Sequence, residues 1–198
     1  MTRVGFLRHG ETEAGDALIG RTDPHLTQKG RETVARQLGG RRWPVVIASP
    51  LMRARETAEI AARASAATIE IDPAWREIDF GDWDGLGRDA LAGDARLAAF
   101  YADPTANPPP GGETMADVHM RVAAALDRLA QREGPILVAA HGGSIRMALS
   151  ILLGLPLAKL WFIRIRQGTR VGVEIGRDAT HGLWGELIEI AQPEDDAP

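Results

Sequence analysis

The chain contains no cysteine, which excludes a disulfide framework, thiolate zinc sites, iron–sulfur clusters and a catalytic thiol, and fits a reducing, cytoplasmic setting. Lysine is confined to Lys29 and Lys159, so 21 of the 23 basic residues are arginine. A single arginine therefore says little until its position argues for a role. No long apolar run exists: Met147 to Ala158 is broken by Ser150, Gly154 and Pro156, and the opening MTRVGFLRHG is too short for a signal-peptide core, so neither secretion nor membrane insertion is expected. There is no excess of positive charge either. The net charge of −4 argues against a nucleic-acid surface and means that an anionic substrate would need a local positive pocket. What is present, 44% hydrophobic and 25% charged residues over 198 positions, is the composition of a folded chain. One domain over residues 1–198 is expected, able to bury roughly 70% of its unfolded surface without metals or disulfides.

Short apolar runs alternate with longer amphipathic stretches, the pattern of an α/β domain: a three-layer sandwich with a central, mostly parallel sheet flanked by helices. Strands are expected at Arg3–Leu7, Val45–Ala48, Thr68–Ile71 and Ile136–Ala140. Helices are expected after caps at Thr27 (to Leu38), at Ser49 with Pro50 in the first helical position (Leu51 to Arg63), and at Thr114 (Met115 to Arg132). Beyond Leu160 the alternation through Phe162–Arg166, Val171–Ile175 and Leu187–Ile190 predicts further strands, with Arg164 and Arg166 on a solvated face. The NPPPGG run at Asn107–Gly112 reads as a surface loop, and the acidic tail from Gln192 to Pro198 as a frayed end.

Two strands end alike. VGFL runs into Arg8, His9 and Gly10, and ILVAA runs into His141, Gly142 and Gly143. Ligands of open parallel sheets bind beyond the carboxyl ends of strands, and glycine there lets backbone N–H groups approach an anion. His141 also precedes the amphipathic stretch Ser144–Leu153, at a helix N-terminus suited to phosphate. Val45–Ala48 delivers Arg53 to the same edge, so two histidines and two arginines can converge. His25, His119 and His181 lack this setting and read as structural or solvated. No histidine spacing suits a metal, no P-loop or dinucleotide fingerprint exists, and the partial calcium-loop match at Asp82, Asp84 and Gly85 fails at Phe80 and Leu91.

Four segments in order, LRHGET (Leu7–Thr12), SPLMRARETA (Ser49–Ala58), EIDFGDWDG (Glu77–Gly85) and AHGG (Ala140–Gly143), resemble the histidine phosphatase superfamily, with its phosphoglycerate-mutase-like fold. Within it, GRTDPHLTQKG (Gly20–Gly30) and FYADPTANPPPGGET (Phe100–Thr114) look most like bacterial α-ribazole phosphatases of cobalamin lower-ligand assembly. The resemblance implies that His9 is a nucleophile forming a transient phosphohistidine, that the cations of Arg8, Arg53 and a protonated His141 hold the nonbridging oxygens, and that Glu77 is the general acid. It further implies a small phosphorylated metabolite as substrate, with neither metal nor cofactor. Thr12, Gly20, Arg21 and the backbone of Gly142 are expected as secondary substrate contacts. Glu113 is the main rival to Glu77, with Glu11, Asp79, Asp82 and Asp84 behind it. Trp83, on the acid's loop, is expected to line the pocket, whereas Trp75, Trp161 and Trp184 read as packing. Arg55, about 200° around the helix from Arg53, should face away. Many relatives carry asparagine where this chain has Gly15, which removes one expected phosphate contact. A phosphoglycerate mutase, a broad metabolite phosphatase and a noncatalytic phosphate-binding protein stand as alternatives.

Overall fold

Along Ile136–Ala140 every residue is buried, and Val4, Phe6 and Leu7 on the first strand are inaccessible: these are strands covered on both faces. A computed structural model describes residues 1–194. Its strands are β1 (Thr2–Arg8), β2 (Val45–Ala48), β3 (Ile69–Ile71), β4 (Ile136–Ala140), β5 (Arg170–Asp178) and β6 (Gly182–Ala191). They form one six-stranded sheet in the order β3-β2-β4-β1-β5-β6. The first four are mutually parallel, whereas β5 runs antiparallel to β1 and β6 antiparallel to β5. The α/β reading holds, as a mixed sheet flanked by helices.

Helices α1 (Gln28–Leu38) and α2 (Met52–Ser65) cover one face, where Val34, Leu38, Ala58 and Ala61 meet Leu7, Val46 and Leu137. On the other lie α5 (Met115–Ala130) and α6 (Gly142–Leu153), with the short α3 (Arg88–Leu91) and α4 (Ala95–Ala102) and their flanking turns, packed on Val4, Phe6, Ile136 and Val138. Alternate residues of each strand thus serve opposite layers.

Thr27 and Thr114 cap α1 and α5 as expected, and Asp117 returns the Thr114 bond in a capping box. The α2 cap is corrected: it is Leu51, not Ser49, because the backbone is still extended at Leu51, with ψ 139°; the Ser49 hydroxyl accepts from Leu51 N at 3.3 Å and lies 2.8 Å from His141 Nε2. The predicted strand over Phe162–Arg166 is also corrected. Its carbonyls are committed to side chains rather than a ladder: Ile163 accepts from Arg146, Arg164 from Gln192 and Ile165 from Arg8. Gln192 bonds Thr169 and Pro193 accepts from Arg166; residues 195–198 of the expected frayed end lie outside the described residues. No helix among the described residues is long and apolar enough to cross a membrane.

Candidate active site

Register brings the strand ends together. Arg8 pairs with Ala140 across β1 and β4, and Ala48 with Ala139 across β2 and β4, so the residues after them leave the same sheet edge. There the His9 and His141 rings lie 5.2 Å apart. His9 is 2% exposed and His141 and Arg53 are inaccessible. His9 Nδ1 sits 2.8 Å from its neighbour's carbonyl, Gly10 O. A carbonyl only accepts, so Nδ1 carries the proton and Nε2 keeps the lone pair. Burial, reinforced by Arg8 and Arg53, holds the His9 pKa well below its ordinary value. Burial again, then the charge of Arg53 and the neighbouring His9 and Arg8, does the same to His141. Both imidazoles are neutral at pH 7, which corrects the expected protonated His141: it is buried beside two arginines.

Arg8 donates to Ile165 O at 2.7 Å, and burial pulls its pKa down to about 10, leaving it charged at neutral pH. Arg53 donates to the carbonyls of Ile19, Gly20 and Thr22 and lies 3.5 Å from Asp23. It therefore orders the 19–23 segment as well as charging the site. Arg8 Nε, Arg53 Nε and His141 Nδ1, which lie close enough to act on one another electrostatically, are buried without a hydrogen-bond partner, as is Thr12 Oγ1 near the start of the following loop. Buried polar atoms are almost always satisfied, and such a group of atoms suits the oxygens of a bound anion.

Glu77 approaches from the other side. Its Oε1 accepts from Ile78 N and Gly143 N, each at 2.9 Å, placing the carboxyl against the first turn of α6. A Cβ on Gly143 would come within 2.3 Å of that oxygen, so only glycine permits the approach. His9, Glu77, Arg8 and Gly142 share one cavity of about 920 Å³ with Arg146, Tyr101, Trp161 and Gln167.

Several expectations are revised. Glu113, the alternative acid, is tied into an ion pair: burial favours its neutral form, but bonds from Arg121 and the Asp79 amide outweigh this and hold its carboxyl below the usual range. Arg21 is exposed and paired with Asp79, so it turns from the histidine pair to the acid loop. Gly20 donates its N–H to Asp84 and its carbonyl accepts from Arg53, a supporting position rather than a cavity wall. Trp83 is core, donating to Asp94 and packing on Phe100; Trp161 lines the cavity instead. Arg166 also lines it rather than a solvated strand. Arg55 and His119 are exposed, as read. His25 pairs with Glu56 and His181 with Asp178, both at the surface. Gly15 lies at the cavity with a left-handed φ of 60°.

Sequence reading missed Arg146. Its Nε donates to Ile163 O and its guanidinium lies 5.5 Å from the Trp161 ring centre. The available signal was spacing, since it falls one helical turn after Gly142. Among the described residues no three His, Cys, Asp or Glu side chains gather as metal ligands.

The family described as Histidine phosphatase superfamily (branch 1) matches residues 4–183, a span that contains every side chain of this cavity. The chain belongs to that superfamily. It is 36% identical to a glucosyl-3-phosphoglycerate phosphatase of Mycolicibacterium vanbaalenii, over 95% of this chain and 90% of that one. It is 31% identical to an adenosylcobalamin/alpha-ribazole phosphatase of Escherichia coli K12, over 88% and 91%. The crystal structure of the alpha-ribazole phosphatase from Shigella flexneri superposes with a TM-score of 0.81 at 25% identity, covering 100% of both chains. Against mycobacterial relatives that are 37% identical, one of them a bifunctional protein of Mycobacterium tuberculosis, the chain spans only 44% of their length.

Proposed function

We propose that this chain is a phosphomonoesterase that works without a metal, through a phosphohistidine on His9. The observation that carries the reading is the tautomer lock at His9: with Nδ1 tied to Gly10 O, the Nε2 lone pair of a neutral, buried imidazole is available to attack. In the first half-reaction Nε2 attacks phosphorus in line, the P–O bond to the alcohol breaks, and Glu77 in its protonated form gives its proton to the leaving oxygen. In the second, Glu77 takes a proton from water, the resulting hydroxide attacks phosphorus, the P–N bond breaks and inorganic phosphate departs. Arg8 and Arg53 meet the nonbridging oxygens and match the charge of the transition state, the work that magnesium does in many phosphoryl-transfer sites. His141 adds a neutral donor through Nδ1. Thr12 joins the phosphate contacts through its unpartnered hydroxyl, and Gly142 through its backbone. Residues 1–194 act as one domain in this reading, and the surroundings are cytoplasmic.

On the alcohol side, Arg146 covers one face of Trp161, whose ring also meets Phe100 and Tyr101. The aromatic surface is occupied in holding a cation, which favours an ester whose alcohol carries a carboxylate, as glucosyl-3-phosphoglycerate does. Hydrolysis of α-ribazole 5′-phosphate is the second reading, favoured by the full-length likeness to the Shigella enzyme. The ratio of kcat/KM for the two esters separates them. Rapid quenching during turnover of 32P-labelled ester should trap an acid-labile phosphoryl group on the wild type and none on His9→Ala, with turnover falling on the order of 10⁵-fold. Turnover that survives in His9→Ala overturns the reading. With 3-phosphoglycerate the expected product is free phosphate; the 2-isomer would identify a mutase.

A further inference from the structure

The loop that carries Glu77 has no place in the sheet. It runs between β3 and α3 as two 3-10 turns, Pro73–Trp75 and Gly81–Trp83, so its backbone must be held from outside. The holding group is one guanidinium on α5. Arg121 Nη1 donates to Ala74 O at 2.7 Å and Arg76 O at 2.9 Å, and Nη2 to Glu77 O at 3.1 Å. Its remaining donors, on Nε and Nη2, form a two-point pair with Glu113, both at 2.8 Å. All five N–H groups of the arginine are thereby used. Glu113 closes the ring, since its Oε2 accepts from Asp79 N at 3.0 Å and its own N–H donates to Asp79 O at 3.0 Å. The backbone is gripped on both sides of Glu77. The pair is largely sheltered, with side-chain exposures of 14% and 21%, and the planar two-point geometry fixes direction as well as distance.

We infer that Arg121 and Glu113 are positioning residues for the general acid, acting through the backbone of residues 74–79 to hold the Glu77 carboxyl against Gly143 N, and that neither touches substrate. This rests on the reading of Glu77 as the acid. The clamp also places Asn107–Gly112: Asp82 N donates to Pro110 O at 2.8 Å, so that loop serves as a buttress of the acid turn.

Protonation of the leaving oxygen matters greatly for an alkyl ester and little for p-nitrophenyl phosphate, whose phenolate departs unaided. The test compares kcat/KM for p-nitrophenyl phosphate and glycerol 3-phosphate in wild type, Glu77→Gln, Arg121→Lys and Glu113→Gln. A misplacement of about 1 Å can cost about 10²-fold. Both clamp variants should therefore lose about that factor on the alkyl ester and about threefold or less on the aryl ester, following the selectivity of Glu77→Gln. Adding Arg121→Lys to Glu77→Gln should cause no further loss on the alkyl ester, because the two act through one proton transfer. Equal losses on both esters, or additive losses in the double variant, would overturn the inference and mark the pair as scaffolding. If Glu77→Gln itself fell equally on both esters, the acid assignment would fail first and the clamp with it. Arg121→Lys keeps the charge and Glu113→Gln keeps side-chain length and polarity; should one of them fail to fold, the other gives the same comparison.

Discussion

The two halves of the cavity are built by different means. The half proposed to hold the phosphoryl group, with His9 at the cavity and His141 and Arg53 buried behind it, hangs from the ends of three parallel strands or the helix that follows, and its geometry is a by-product of β-sheet register. The half proposed to face the alcohol draws Glu77, Tyr101 and Trp161 from turns and short helices, with Arg146 on α6 reaching over to them, and it is joined by side-chain bonds to backbone carbonyls. A ladder repeats the same bond along its length and resists change at any single position. A guanidinium that bridges carbonyls is one residue, and its replacement alters the whole wall. In the proposed function, reaction type is thus tied to the sheet, and substrate choice to a few arginines.

Breaking the phosphoryl half should cost most. Arg53→Lys keeps a charge but forfeits the bonds to Ile19, Gly20 and Thr22, and removal of one preorganised donor lowers kcat about 10² to 10³-fold. Steady-state kinetics on p-nitrophenyl phosphate should show that loss, independent of the leaving group. Arg146→Gln sharpens the contrast: it should raise KM about tenfold for a carboxylate-bearing ester while leaving p-nitrophenyl phosphate nearly unchanged. If both substrates respond alike, Arg146 belongs to the phosphoryl half.

The smallest effect is on stability. The folded-state pKa values of His9 and His141 lie below the unfolded value of 6.5 because of burial. Their contribution is therefore complete above pH 6.5 and is lost as pH falls toward the folded values. His25, raised by its hydrogen bond to Glu56, acts with the opposite sign, its stabilisation being lost as pH rises. Wild-type Tm should drop as pH is lowered from 6.5 to 5, and His141→Gln should flatten the curve. One proton over one pH unit corresponds to about 1.4 kcal/mol, or about 3 °C for a chain of this size. A parallel curve in the variant would show that the imidazole is not buried uncharged.

Legibility in the sequence followed the same division. Strands β1, β2 and β4 were readable because continuous apolar runs ending in histidine or serine have few other interpretations. The meeting of Arg8, His9, Arg53 and His141 followed from the edge they share. Phe162–Arg166 misled because its alternation satisfies the period of a strand, while its carbonyls answer to Arg8, Arg146 and Gln192, partners far away in sequence. Trp83 misled because nearness to the acid in sequence does not decide which way a ring packs. Arg146 and Arg121 were invisible among 21 arginines; only the carbonyls they contact distinguish them.

The position of β4 between β1 and β2 has a consequence for how the protein comes into being. Val4 finds its neighbours in Ile136 and Val173, so the opening strand emerges from the ribosome long before anything can pair with it. Such distant pairings slow folding, since a long stretch of chain must be ordered before they form. The proposed nucleophile at the end of that strand acquires its companion imidazole only once β4 has threaded into the gap, so in that reading turnover reports completion of the sheet rather than of any fragment.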